Sequence, residues 1–401
     1  MLTEQNEEEL LEKAELAEKE CDWSKALKLY EQVAELYLSK NKIEKAAQTY
    51  KKLAYTYWQS IGVVNTAEEL IICVKSIIKN FEKAEKLFNE YNNREGAMEC
   101  KSGVYRTKMI TATSHLKSKE AADDALKLEM QLIEIFREKD EKENLVRALT
   151  RSAGIIGRLL SSSTTFEESF ELSQKGIKFA NEALNISKEI RNIDLLSNSL
   201  ILSLQMQTEL TNIVEFRGVP EFKNAFKTLL IESEEALKHV EDKNDYYSLM
   251  NIYRTSGLIN FFFAFHYIED ERNQKEYFDK GLNHLEKSLE LARKIQDKTL
   301  ILYCLFYIDW WALFSGNFEY LQDRMARDIL EMEEMGKQFE RFIEYSRGVT
   351  RGVTVYYANM ARLSFFNIKQ RITYAELGIQ YGEKFLENFP PGSPTPLIYI
   401  I

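Results

Sequence analysis

The four histidines, His115, His239, His266 and His284, are the side chains best suited to proton transfer or metal binding near neutral pH. None lies in a His-Glu-x-x-His helix or has a companion at metal-ligand spacing, so no metal site is expected. His266 and Asp270 are one helical turn apart, which suits a proton-shuttling pair and equally an ordinary pair of helix neighbours. The sequence has no Gly-x-x-x-x-Gly-Lys-Ser/Thr loop, no Gly-x-Gly-x-x-Gly turn and no Gly-x-Ser-x-Gly elbow. A protein without enzymatic activity, catalytic residues or cofactor is the expectation. Asp309 sits in the apolar run Leu305-Phe306-Tyr307-Ile308-Asp309-Trp310-Trp311. It reads either as a carboxylate paired for structure or as an acid facing a ligand, while Trp310 and Trp311 read as core.

A recurrent arginine carries more information. Tyr105-Arg106-Thr107, Thr150-Arg151-Ser152, Tyr253-Arg254-Thr255 and Thr350-Arg351-Gly352 each place Arg ahead of small and β-branched residues. Arg147 and Arg347 lie one turn before Arg151 and Arg351, and Arg158 and Arg362 follow two to three turns later, so each set forms a stripe on one helix face. Arginine's planar fork binds carboxylate or phosphate through paired hydrogen bonds and stacks on aromatic rings such as Tyr253 and Tyr356. Two readings stand side by side. The arginines converge on a ligand, or each pairs with a Glu of the next helical unit and fixes stacking.

Helices must position these groups. Only five prolines occur, and apart from Pro220 they lie at 390 and beyond, so almost nothing interrupts a helix. Apolar residues recur at helical spacing, as in Ala26, Leu29, Tyr30, Val33, Ala34 and Tyr37, and hairpin-type turns between alternating strands are missing. The 401 residues are 45% apolar, enough to form a large core and to exclude disorder for the bulk. A net charge of -10 disfavours nucleic acid. Cys21, Cys73, Cys100 and Cys304 form no Cys-x-x-Cys pair, as suits a reducing interior. The Glu-rich start lacks the features of a secretory or transit signal, so a cytoplasmic location is expected. The apolar runs 258–268 and 300–314 are too short to span a bilayer.

One local pattern repeats. Asp22-Trp23-Ser24-Lys25-Ala26 is echoed by Asn80-Phe81-Glu82-Lys83-Ala84, Asn317-Phe318-Glu319-Tyr320-Leu321 and Lys42-Ile43-Glu44-Lys45-Ala46. The polar residue caps a helix, the aromatic docks, and Ala allows close approach, so each copy predicts a hairpin turn. Ala26/Tyr30, Ala46/Tyr50 and Ala84/Phe88 extend it on one helix face. Further junctions are predicted near residues 137–140, 190–192, 240–243 and 295–298. Thr66-x-x-Glu69 and Thr165-x-x-Glu168 are capping boxes.

These residues resemble the second half of the tetratricopeptide repeat, without its Trp, Leu-Gly and Tyr first half and without a steady period. Residues 5–110 are also similar to soluble NSF attachment proteins. The longer later interval resembles helical repeats attached to signalling ATPases and transcriptional activators. The resemblance implies an all-α, right-handed superhelical array, an α-solenoid of stacked antiparallel hairpins with about 14–16 helices. Residues 1–215 and 216–389 are expected as two continuous halves, divided near Gly218-Val219-Pro220, with 390–401 as a Pro-rich tail or linker. In such an array the first helices line the concave face. The resemblance therefore implies a groove holding Arg106, Arg151, Arg254 and Arg351 with Tyr253 and Tyr356. The expected partner is a protein or peptide, acidic or amphipathic, or a downstream domain of the same polypeptide. A sensory or autoregulatory region of a larger signalling ATPase, cyclase or transcription factor is the alternative, and a vesicle-fusion adaptor a second.

Overall fold

A computed structural model of the chain describes residues 7–160, 162–163, 165–214, 220–240, 245–268, 270–314 and 367–387, with scattered positions between 327 and 361. Among these residues there is no strand, and the chain is an α-solenoid. Its helices are α1 (Glu7–Lys19), α2 (Trp23–Ser39), α3 (Ile43–Gln59), α4 (Ala67–Glu90), α5 (Arg94–Ile110), α6 (His115–Glu138), α7 (Lys142–Leu160), α8 (Phe166–Ile190), α9 (Ile193–Val214), α10 (Pro220–Val240), α11 (Tyr246–Tyr267), α12 (Glu271–Ile295), α13 (Lys298–Phe314) and α14 (Ile368–Glu387). A short 3-10 turn, Ser60–Val63, follows α3. From α1 to α13 each helix packs on the next.

The turns share one construction. Cys21, Asn41, Asn92, Asp140, Arg191 and Gln296 adopt left-handed backbone at six of the junctions, with φ between 55° and 59°. At five of them the following amide reaches back to the carbonyl five residues earlier, as in Asp22 N to Ala17 O at 2.9 Å and Asn93 N to Phe88 O at 2.8 Å. This closes one helix in a Schellman-type turn. At four of the six a side-chain oxygen then caps the next helix, with Asp22 accepting from Lys25 N, Asn93 from Gly96 N, Asn192 from Leu195 N and Asp297 from Leu300 N, whereas Lys42 gives no side-chain cap to α3. Thr66 and Glu69 form a reciprocal capping box, and Thr165 accepts from Glu168 N.

One predicted turn is not a turn. Asn80-Phe81-Glu82-Lys83-Ala84 lies inside α4, which runs unbroken for 24 residues from the Thr66 cap. Asn80 donates to Ser76 O within that helix, and Phe81 is buried beneath Gly103 of α5. The sequence supplies no left-handed residue there, whereas Asn92 and Asn93 supply turn and cap twelve and thirteen residues after Asn80. The Asn317 copy lies outside the described residues.

Ala26, Ala46 and Ala84 are fully buried beside Tyr30, Tyr50 and Phe88, so small and large residues interdigitate between helices. The 215/216 division falls between α9 and α10, and α10 packs on both α9 and α11. The tail 390–401 lies outside the described residues.

The array also comes round to meet itself. The Trp23 ring packs edge-on against Tyr247 of α11 at 5.8 Å, and Lys298 Nζ donates to Asn65 Oδ1 at 3.0 Å. A Cβ added to Gly62 would lie 2.2 Å from Asp297 Oδ1, so only glycine admits this approach. The start of α2 thereby packs on the start of α11, and the 3-10 turn seats the start of α13.

Candidate functional site

The odd-numbered helices α1, α3, α5, α7 and α9 together wall a groove of about 670 Å³, within the range of ligand pockets. Helical spacing selects the residues that reach it. Leu11, Glu15 and Glu18 come from α1; Gln48, Lys51, Lys52, Tyr55, Trp58 and Gln59 from α3; Glu99 and Arg106 from α5; Asn144, Arg147, Thr150 and Arg151 from α7; Leu195 and Asn198 from α9. Steps of three, four and seven residues keep each set on one face.

Arg151 forms the floor. Its Nε donates to Glu129 Oε1 at 2.8 Å and its Nη2 to Glu99 Oε1 at 3.1 Å, and its side chain is 11% exposed. Ser102 Oγ donates to Glu129 Oε1 at 2.6 Å, and Lys51 Nζ to Glu99 Oε2 at 2.7 Å. Burial works against the Glu99 charge, but Arg151 and Lys51 outweigh it and hold the carboxyl down at about 2. Burial likewise opposes the Arg151 cation, and Glu129 and Glu99 overcome it, holding its pKa above the ordinary value. The network ties α3, α5, α6 and α7 together with groups an apolar interior could not hold singly.

Above it, Arg106 Nη2 donates to Tyr55 OH at 3.0 Å, and the guanidinium lies 5.7 Å from the Tyr55 ring and 5.2 Å from Trp58. Its Nε is buried without a hydrogen-bond partner. Lys52 pairs with Glu18 at 2.8 Å. Arg147 is exposed on the wall and takes part in no salt bridge among the described residues. The side-chain amides of Gln48, Gln59, Asn144 and Asn198 add both donors and acceptors. The groups that line the groove offer hydrogen bonding, charge pairing and ring stacking.

Of the six residues singled out from sequence, the structure brings Arg106 and Arg151 together on this groove. Arg254 lies on α11, over the Tyr303 ring at 5.6 Å. Tyr253 is buried against His284, with ring centroids 5.7 Å apart, and Lys287 stands over its face. Tyr356 is buried against Tyr357 at 5.2 Å. None of these three lines the groove. Arg351, Arg347 and Arg362 lie outside the described residues. His266 is stacked on Phe262 and edge-on to Phe265, while Asp270 caps α12 through Asn273 N. Asp309 is buried. Tyr55, Trp58, Lys51 and Glu99 were not singled out from sequence. Their only signal is their register on amphipathic helices, shared with every solvent-facing stripe.

Fold and groove define a helical-repeat array. No family model matches the sequence, and no curated protein matches it. Among solved structures the chain is similar to a circular tandem repeat protein with novel repeat topology, at 16% identity over 95% of this chain and 96% of that one, with a TM-score of 0.33. It is also similar to a Rap protein solved in complex with competence and sporulation factor, at 10% identity over 95% of this chain and 99% of that one, with a TM-score of 0.49. No described helix is long and apolar enough to cross a membrane, and no group of His, Cys, Asp and Glu among the described residues could hold a metal ion.

Proposed function

We propose that the protein is a non-enzymatic binding scaffold whose groove holds an acidic segment of a protein or peptide partner. One observation carries the reading. Helices α5 and α7 bring Arg106, Arg147 and Arg151 onto one wall, facing the Tyr55 and Trp58 rings of α3. Arg151, clamped between two carboxylates, sets the positions of its neighbours, while exposed Arg147, in no salt bridge among the described residues, supplies donors for an incoming carboxylate. The Tyr55 and Trp58 rings offer stacking surface, and the side-chain amides of Gln48 and Asn198 offer donors and acceptors to a bound backbone.

Fluorescence anisotropy with a labelled peptide of alternating Glu and Leu, against a Lys-Leu control, tests this. Arg147→Glu and Arg106→Ala are each expected to weaken binding of the acidic peptide at least about tenfold, the size of one charge-assisted contact. Equal affinity for both peptides, or no change in either variant, rejects the groove assignment.

A further inference from the structure

A solenoid buries the apolar face of each repeat by stacking another repeat on it, so a helix face that no repeat covers is polar unless some other partner covers it. Helix α1 obeys this rule, exposing Glu8, Glu9, Glu12, Lys13, Glu15 and Lys19 around a single large apolar residue, Leu16. Helix α14 does not. Ile368, Ile372, Ile379 and Leu386 are 75%, 54%, 63% and 46% exposed. At about 100° per residue these four and the exposed Ala375 fall within an arc of roughly 60°, in a stripe about 27 Å long. Scattered exposed aliphatics are ordinary, but an aligned row marks an interface.

We infer that α14 is the isologous interface of a homodimer and packs antiparallel on α14 of a second copy. The pattern is self-complementary. A two-fold axis beside position 377 sets Ile368 opposite the partner's Leu386 and Ala375 opposite the partner's Ile379, pairing large with large at the ends and small with large near the middle. In such a pair the same flank of both helices meets. That flank carries exposed Lys369 at one end and exposed Glu383 and Glu387 at the other, so each Lys369 faces the partner's two carboxylates. Glu376 lies near the axis beside its own symmetry mate, the one repulsive contact in the arrangement. Head-to-tail stacking on α1 would instead press the isoleucines against a carboxylate-rich face, which costs desolvation without return.

Sedimentation velocity of the full chain across a hundredfold range of concentration tests the inference. A concentration-dependent dimer is expected. Ile372→Asp/Ile379→Asp is expected to weaken it at least about 100-fold while leaving helicity and acidic-peptide binding unchanged. Lys369→Glu weakens the dimer, adding Glu383→Lys restores it, and Glu376→Gln tightens it. A monomer throughout, or a dimer indifferent to these changes, overturns the inference. So does a full chain that stays monomeric while a chain ending at Glu387 dimerises, because the apolar tail Leu397–Ile401 would then be the occupant of the stripe.

Discussion

Glu99 is the carboxylate whose removal reports most directly on how the groove is held. It accepts from Lys51 at 2.7 Å and from Arg151 at 3.1 Å, linking α3, α5 and α7 through one buried side chain. Its carboxyl titrates at about 2 in the folded chain against an ordinary 4.5. At about 1.4 kcal/mol per pKa unit, that difference corresponds to roughly 3 kcal/mol. Because the folded pKa is depressed, the stabilisation is complete above the unfolded value and is lost as pH falls from about 4.5 toward 2. Glu99→Gln keeps the shape and deletes the charge, leaving Lys51 and one face of Arg151 without a counter-charge. A solenoid opens in segments, so the assay is amide hydrogen exchange localised to α5 and α7. Near neutral pH the variant is expected to exchange roughly a hundredfold faster there. The gap should close as pH falls through the acidic range, since the wild-type carboxylate is then neutral as well. Wild-type exchange rates in the variant at neutral pH would refute the account of the floor, and so would a gap that persists unchanged into acid.

Two further outcomes follow from the packing. Gly62→Ala places a methyl against the Asp297 carboxylate, which caps Leu300 N, so the contact between the 3-10 turn and α13 should loosen. Loss of the cap and local overpacking cost about 1–3 kcal/mol, read as faster exchange in the first turn of α13 and a larger radius of gyration by small-angle scattering. All four cysteines are buried, and burial first, with nearby acidic charges at Cys21, pushes the Cys21 thiol up to about 12 and the Cys73 and Cys304 thiols to about 11. Alkylation by iodoacetamide near neutral pH should therefore be negligible until the chain unfolds, and rapid labelling of the folded protein would contradict this burial.

Much of the architecture could be read along the chain because its causes are local. The scarcity of proline, the 3.6-residue recurrence and the caps Asp22, Thr66 and Thr165 act within one or two helical turns, and the structure uses each as its residue type requires. The Asn80 copy failed for an equally local reason: its neighbours favour a continuing helix, and without a left-handed residue the polar side chain turned inward to Ser76. The site was legible only in part. Arg106 and Arg151 share the groove and Arg254 does not, although all three stand in similar short motifs.

Residue order by itself determined that this chain would form capped, amphipathic helices reversing at regular junctions, since those preferences are settled by backbone sterics and nearest neighbours. Which faces look inward, that Glu99 and Glu129 from separate helices enclose one guanidinium, and that the 3-10 turn meets α13 across more than 230 positions were decided by tertiary packing. Those partners are distant in the chain. Their meeting depends on the small rotation between successive helices accumulated over the whole array, a quantity no single segment encodes.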